Sequence, residues 1–280
     1  MTRLRFRYWV RRILRGRWRG DSSVNYDGEF GHELKGVVPY AYWLHRQGRL
    51  KKTIGAPDTR CFYYFSPQHE ERKTKRRYKS LRDFPLYLVY TPHLDRWRWL
   101  PPPLRDVYAS QRFQWPKPPL VISNKYTREW NDDPVNFLDI PALRALFDLF
   151  QDRYTILYNR PGAGQIVPDQ QEDLALGEHE LLTREFPNVI QFSNLWRENS
   201  DLTFNTLQCM VYAACEHFIS VQGGPSVLAS YFGGRNIIFV RQGSELTSGA
   251  YQWFDQFSGC RVFPVGDNAT LLSTARREFA

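Results

Sequence analysis

The sequence predicts an α/β fold with a parallel β-sheet, most clearly in the second half of the chain, from Pro119 onward. Apolar runs of four or five residues alternate there with segments of helical periodicity. This alternation is typical of parallel strands that are joined by crossover helices. A second observation points the same way: a loop rich in glycine and proline, residues 222–226, follows one apolar run and precedes a helical segment.

The elements of this half follow from the sequence in order. The predicted strands are 120–123, 154–158, 189–192, 217–221 and 236–240. The predicted helices are 140–150, 174–186, 205–216 and 227–232. Pro141 is compatible with the first of these helices, because a residue in the first helical turn needs no N–H donor.

The first half is less regular. Residues 22–55 are interpreted as a turn or short strand, a loop, and a helix over 34–50. The short β-type runs 61–65 and 87–90 are predicted strands, whereas the basic segment 66–82 has no core signal and is predicted as a loop or exposed helix. A proline-rich stretch at 101–119 is a stiff connector and marks the predicted domain boundary. The scheme is a basic amphipathic segment at 1–20, a first domain at 21–118 and a second at 119–280.

Charge is concentrated in one place. The chain of 280 residues has a net charge of +9, but residues 1–20 contain eight arginines and no acid. Without them the chain carries 30 basic and 29 acidic residues, so its remaining charge is nearly balanced. A general nucleic-acid-binding field is therefore not expected.

The N-terminal segment has three open interpretations. On a helix, Phe6, Trp9, Val10, Ile13 and Leu14 fall on one face and arginines flank them. This pattern fits an ordinary helix packed on the protein surface, an interfacial helix on anionic lipid, or a nucleic-acid contact, and nucleic acid is the least favoured.

The expected compartment is the cytoplasm, with peripheral membrane contact as an open alternative. Four cysteines occur without CxxC or zinc-type spacing, which favours a reduced, intracellular setting. The sequence also has no run of 18 apolar residues and no signal-peptide pattern at its start.

The glycine loop is the first candidate site. Glycine lets the backbone approach a ligand closely, proline suits the first helical turn, and free N–H groups at a helix start attract an anion such as a diphosphate. A plain strand-to-helix turn also uses these residue types. The candidate donor-binding residues here are Gln222, Gly223, Gly224 and Ser226.

Other polar residues follow predicted strands, whose carboxyl ends face the ligand crevice of an open α/β sheet. Ser123, Asn124 and Lys125 are candidate phosphate-binding residues, and Lys125 supplies a positive charge that Arg128 could assist. Tyr158, Phe192 and Asn194 are candidates for contact with a base. Taken singly, each is equally compatible with a solvated loop.

The catalytic candidates lie in the loop 27–33. Carboxylates and an imidazole stand there beside two glycines, and transfer to a hydroxyl acceptor needs a base. Glu29 and His32 are favoured over Asp27 as that base, and Glu33 is a further possibility. The neighbouring Gly28, Phe30 and Gly31 are the candidate acceptor-binding residues. The alternative is a polar loop that caps the following helix.

Several signatures are absent from the sequence. It contains no GxGxxG or Walker loop, no DxD triplet and no hydrolase or kinase motif set. Nor are there two glutamates eight residues apart around the glycine loop, since the position eight after Glu216 is Gly224.

The sequence resembles glycosyltransferases of the GT-B type in its strand end 123–125, in residues 218–229 and in its loop 28–33. The resemblance implies two Rossmann-like domains facing a cleft, with an acceptor-binding N-terminal domain and a nucleotide-sugar-binding C-terminal domain. It also implies catalysis without a bound metal. No cofactor is expected, because the nucleotide-sugar is a substrate, and no nucleic-acid partner is expected. The compact length resembles small xylosyltransferases of large algal DNA viruses, so UDP-xylose is the first expected donor and a glycan hydroxyl the acceptor. The missing glutamate pair favours inversion, and the absence of adjacent donor-site arginines disfavours GDP-fucose.

Two other functions stay open at this point. One is a non-catalytic nucleotide-binding protein tethered to a membrane or nucleic acid through residues 1–20. The other is a nucleotide-sugar epimerase, which would need a dinucleotide fingerprint that the sequence lacks.

Overall fold

The computed structural model describes residues 22–77, 98–129, 133–162, 165 and 171–279. The predicted amphipathic segment 1–20 and the predicted strand 87–90 lie outside these residues.

The first half contains a small parallel sheet. Its strands are β1 (Ser22–Asn25), β2 (Leu50–Gly55) and β3 (His69–Glu71), in the order β1-β2-β3. β1 leads into the loop that holds the catalytic candidates, so these side chains stand at the carboxyl end of a parallel strand. Ligand-binding residues of open α/β sheets lie at this edge.

One long helical segment, α1, links β1 to β2. It consists of Phe30–His32, a π-helical turn at Glu33–Val37 and an α-helix at Val38–Arg46. Pro39 has no N–H to donate to the carbonyl of Lys35, four residues earlier. The indole of Trp99 donates to that carbonyl instead, at 2.7 Å. The irregular turn is therefore tied to another part of the chain.

The second half contains the large parallel sheet. In sequence order its strands are β4 (Pro119–Ser123), β6 (Thr155–Asn159), β8 (Ile190–Gln191), β9 (His217–Val221), β10 (Arg235–Phe239) and β11 (Arg261–Val265). Their order in the sheet is β11-β10-β9-β4-β6-β8, and all neighbouring pairs are parallel. A separate antiparallel pair consists of β5 (Thr127–Glu129) and β7 (Gln171–Asp173).

Helices cover both faces of this sheet. Its crossover and flanking helices are α3 (Ile140–Phe150), α4 (Phe192–Glu198), α5 (Phe204–Ala213), α6 (Gly224–Ser230) and α8 (Asn268–Phe279). A short helix, α7 (Ser244–Thr247), follows β10. Successive strand residues alternate between two cores: Val121 and Phe218 face one, whereas Ile122 and Ile219 face the other. The first core also includes Val24 and Leu34, so the two sheets share buried apolar contacts.

Several predicted elements of the first half are wrong. The aromatic run predicted as a strand over 61–65 is a 3-10 helix, Arg60–Tyr63, that buries Phe62 and Tyr63. The predicted helix over 34–50 ends at Arg46, and β2 occupies the residues after it. Segment 66–82, predicted without core contacts, contains β3 and buries His69 and Arg76. The second and third differences arise because β2 and β3 pair with strands that are distant in sequence, which local periodicity does not reveal.

Two predictions of the second half also need correction. The predicted helix 174–186 is much shorter in the structure, where its late part forms a π-helical turn at Leu181–Glu185. The chain enters α4 at Phe192, so Asn194 lies on a helix and not at a strand end. β11 and α8 were not predicted.

The proline-rich segment carries its own contacts. A short helix after its first prolines, α2 (Leu104–Tyr108), packs on α5 of the large-sheet half. Arg105 donates to the carbonyl of Phe232 at 2.9 Å. Residues just before the predicted boundary therefore contact the second half, and the division at 118/119 stays a prediction.

Candidate functional site

The glycine loop begins directly after β9. Gly223 has φ +110° and ψ −150°, a conformation that side-chain-bearing residues rarely adopt. The hydroxyl of Ser226 donates to the carbonyl of Gly223 at 2.9 Å and is buried, so it closes the turn. The backbone of Gly223 and Gly224, and not the Ser226 hydroxyl, is therefore the part of this loop that suits a ligand.

Lys125 lies next to this loop. Its Nζ atom is 3.5 Å from the position that a Cβ atom on Gly223 would take. The side-chain oxygen of Asn124 accepts from the amides of Lys125 and Leu138, both at 2.9 Å, and its nitrogen donates to the Leu138 carbonyl. Asn124 thereby fixes the turn after β4 and directs Lys125.

The other predicted phosphate-binding residues of the two loops are engaged elsewhere. The hydroxyl of Ser123 is 2.7 Å from that of Tyr212 and is buried. The amide of Gln222 donates to Glu245 at 2.6 Å and accepts from Asn136. Ser123, Asn124 and Gln222 thus support the site, and Lys125 is the charged group of the predicted set that stands at it.

The loop 27–33 of the first half packs directly on the glycine loop. A Cβ atom on Gly31 would lie 3.3 Å from the nitrogen of Gly224, and one on Gly224 would lie 2.8 Å from Cδ1 of Phe30. Both glycines therefore allow a close approach of the two loops, and a Cβ atom at either position would force its neighbour to shift. The structure thus brings the predicted catalytic loop and the predicted phosphate loop together, although they are almost 200 residues apart in sequence.

Arg76 holds the catalytic loop in place. It donates to the carbonyl of Gly28 at 2.8 Å, and its guanidinium lies 5.1 Å from the ring centre of Phe30. It also pairs with Glu33 at 2.7 Å, and both side chains are buried. Glu33 accepts a further hydrogen bond from Tyr63 at 2.9 Å. Glu33 is thereby a structural residue and not a base.

Glu29 and His32 form a pair at the start of α1. Nδ1 of His32 is 3.0 Å from Oε2 of Glu29. The Glu29 side chain is 37% exposed, whereas that of His32 is 10% exposed, so Glu29 is the member that a large substrate can reach. Asp27 lies half-buried on the same loop, and its carbonyl accepts from the amide of Arg77 at 2.7 Å.

Burial and, next in size, the positive charge of Lys35 lower the pKa of His32, and the charge of Glu245 partly opposes them, so that the pKa lies at about 4. The ring is therefore neutral at pH 7. A neutral ring that faces a carboxylate through Nδ1 must carry its proton there, so His32 donates to Glu29. This bond fixes the orientation of the Glu29 carboxylate.

The lowered pKa of His32 predicts a stability change in acid. In the unfolded chain the ring binds a proton near pH 6.5, but in the folded chain only near 4. The contribution of His32 to the free energy of unfolding is therefore fully present above pH 6.5. It decreases by about 2–3 kcal/mol as the pH drops to 4. Urea unfolding across this range should show a shallower pH dependence for H32Q. An unchanged slope would contradict the assignment.

Two of the residues predicted to contact a base, Tyr158 and Phe192, are buried and do not present a surface for one. Tyr158 is 3% exposed and packs edge-on against Phe147, and Phe192 is 1% exposed and packs against Tyr212. Both are core residues, because the strand or helix that carries them turns them inward. Asn194 lies on α4 and accepts a hydrogen bond from Arg197.

The sequence did not predict three residues near the candidate site: Arg76, Lys35 and Glu245. Arg76 belongs to a basic run that looked solvated, and Lys35 stands alone on an apolar helix. A single cation within an apolar pattern is a signal that a buried partner is present. Its identity, Glu245 at 3.1 Å, depends on a contact over 210 residues.

The described residues show neither a membrane span nor a metal cluster. None of their helices has the length and apolar composition needed to cross a membrane. They also contain no group of three or more His, Cys, Asp or Glu side chains arranged to hold a metal ion.

Comparison with known proteins gives a match at the level of structure. No protein-family model matches the chain, and no curated protein matches it in sequence. Among solved structures it is similar to E. coli ADP-heptose lps heptosyltransferase II, with a TM-score of 0.54 and 9% sequence identity. The likeness covers 92% of this chain and 98% of that one. Together with the parallel sheets described above, it shows that this chain has the α/β fold of GT-B type.

Proposed function

We propose that the protein is a glycosyltransferase that moves a sugar from a nucleoside diphosphate donor to a hydroxyl of a glycan. The observation that carries this proposal is the contact between the loop of Glu29 and the loop of Gly223, with Lys125 beside the latter. A carboxylate for the acceptor and a cation for the donor stand at the junction of two α/β units. The structural neighbour, named an ADP-heptose heptosyltransferase, supports the same reaction class.

Lys125 and the backbone of Gly223 and Gly224 form the donor grip. An ammonium group binds phosphate as a point charge, and a glycine loop lets phosphate oxygens approach backbone N–H groups. As the bond between the anomeric carbon and the diphosphate oxygen breaks, the electron pair stays on that oxygen. Lys125 stabilises the negative charge that develops there.

Glu29 is the proposed base. The acceptor hydroxyl oxygen attacks the anomeric carbon, its proton passes to the Glu29 carboxylate, and the nucleoside diphosphate leaves. A base on one side and a leaving-group site on the other favour attack from the opposite face, which inverts the anomeric centre. The charge of Lys125 is consistent with transfer that needs no divalent metal, and activity that survives EDTA is the expected result.

The identity of the donor sugar is predicted from the sequence resemblance more than from side-chain contacts. UDP-xylose is our first donor prediction, with a glycan as the acceptor. The donor panel should include ADP-heptose, because the structural neighbour carries that donor in its name. Contact of residues 1–20 with a membrane surface remains a separate proposal, since those residues lie outside the described structure.

Donor binding is tested by thermal shift. A nucleotide-sugar at saturating concentration should raise the melting temperature of the wild-type protein by mass action. The variant K125M loses a charge-assisted contact and should bind the same donor about 10- to 100-fold more weakly. K117M is the matched control, because Lys117 is exposed and donates to the carbonyl of Gln151 at the other end of β4.

Two outcomes would contradict the proposed donor grip. The first is equal donor affinity in K125M and K117M, which would exclude Lys125 from the site. The second is no thermal shift with any UDP-, GDP-, ADP- or CMP-sugar. Binding without any sugar transfer would instead support the alternative of a non-catalytic nucleotide-binding protein.

A further inference from the structure

A buried ion pair joins the two halves of the chain behind the candidate site. Nζ of Lys35, in the π-helical turn of α1, is 3.1 Å from Oε1 of Glu245, on α7. Their side chains are 4% and 11% exposed. Burying two charges costs free energy that their attraction seldom exceeds, so such a pair is weak support for stability. The contribution of this pair is therefore sought in the geometry that it imposes on the two segments that it joins.

The pair is connected to the glycine loop. Oε2 of Glu245 accepts from the side chain of Gln222 at 2.6 Å, and Gln222 is the residue before Gly223. Gln222 in turn accepts from Asn136, whose side-chain oxygen accepts from the amides of Arg241 and Gln242 at 2.8 and 3.1 Å. A continuous set of hydrogen bonds thus runs from α1 through Glu245 to the start of the glycine loop.

The same pair acts on the catalytic loop. Lys35 is three residues after His32, and its charge disfavours protonation of that ring, whereas Glu245 favours it. Among the described residues, the carboxylate of Glu29 also lies at the ring, and Arg76 lies over the neighbouring Phe30. α6, which packs on this turn of α1, has no ionisable side chain, and the ammonium group of Lys125 lies next to Gly223.

We propose that Lys35 and Glu245 are positioning residues, which hold the loop of Glu29 and His32 in register with the glycine loop. This inference rests on the proposed function, because it assigns the pair to the orientation of that base. Neither residue touches the reacting atoms. They act through His32 on one side and through Gln222 on the other.

The test measures the titration of His32 by NMR without any substrate. The wild type, K35M, E245Q and the double variant K35M/E245Q are compared between pH 4 and 8, and H32Q assigns the signal among the six histidines. We expect the pKa of His32 to rise above about 4 in K35M, because the positive charge that lowers it is removed. In E245Q the ring should stay neutral to the lower limit of the range. The double variant leaves no unpaired buried charge, and its His32 pKa should lie between those of K35M and E245Q.

The matched control is K52M, which removes another lysine that pairs with a glutamate, Glu70, within the small sheet. It should leave the His32 titration unchanged. Opposite responses to the loss of Lys35 and Glu245 would not arise from a purely structural role. An unchanged pKa in both K35M and the double variant, or an equal change in K52M, would overturn the inference.

An activity measurement completes the test. In the double variant we expect kcat to fall about 10-fold with the donor Kd changed less than 3-fold, because alignment of the base is lost while the donor grip remains. If the titrations respond as expected but the wild type transfers no sugar, the proposed function fails and the electrostatic coupling stands. If the wild type is active and the titrations do not respond, only this inference fails.

Discussion

Replacing Glu29 with Gln should lower kcat about 10³-fold, because a positioned general base contributes on the order of 10²- to 10⁴-fold. The amide keeps the size of the side chain and its hydrogen-bond acceptor toward His32, but it cannot take the acceptor proton. Glu29 lies on the first-half loop and Lys125 beside Gly223, so the donor Kd should change little. Steady-state kinetics together with donor titration separate the two effects.

A distant carboxylate provides the control for this prediction. Glu185 is exposed and pairs with Arg144, so E185Q should retain wild-type kcat. If D27N abolished turnover while E29Q did not, the base would be Asp27 and our assignment would be wrong. If E29Q weakened donor binding as strongly as it lowered kcat, Glu29 would belong to the donor site.

Replacing Arg76 with Met should lower the free energy of unfolding by about 3–5 kcal/mol. The loss leaves the buried carboxylate of Glu33 without its cationic partner, and it frees the carbonyl of Gly28 and the ring of Phe30. Because the latter two contacts fix the loop of Glu29, any folded R76M protein should also show reduced kcat. Urea denaturation at constant pH measures the stability change from the shift in midpoint.

Two further variants isolate the cause of the stability loss expected in R76M. R76M/E33M removes both charges and should recover most of the lost stability, since no unpaired buried charge remains. R72M is the control, because Arg72 is 65% exposed in its ion pair with Glu70 and should cost less than about 1 kcal/mol. An R76M protein as stable as R72M would contradict the buried role of Arg76.

The sequence predicted the large sheet well for a physical reason. The predicted bounds of β9 and α3 agree with the structure, because apolar runs there are bordered by turn residues and the carboxylate of Asp139 caps α3 by accepting a hydrogen bond from the amide of Ala142. The small sheet was harder to predict. β2 carries two lysines, and its burial depends on neighbours on both sides that local periodicity cannot show.

The candidate site was predicted in part. The polar residues and glycines of the loops of Glu29 and Gly223 predicted that both belong to the site, and the structure places these loops in contact. The internal hydrogen bonds of Asn124 and Ser123 were not predictable, because a polar residue after a strand looks the same whether it binds a ligand or its own backbone. The Lys35–Glu245 pair depends on tertiary contact alone.

The most direct test of the account is a transfer assay with the purified full chain. Nucleotide-sugars that shift the melting temperature are incubated with glycan acceptors, and the release of nucleoside diphosphate is compared with the mass gain of the acceptor. The account predicts one sugar added for each nucleoside diphosphate released, with the wild type about 10³-fold faster than E29Q. Donor binding without release, or equal release by wild type and E29Q, would contradict it.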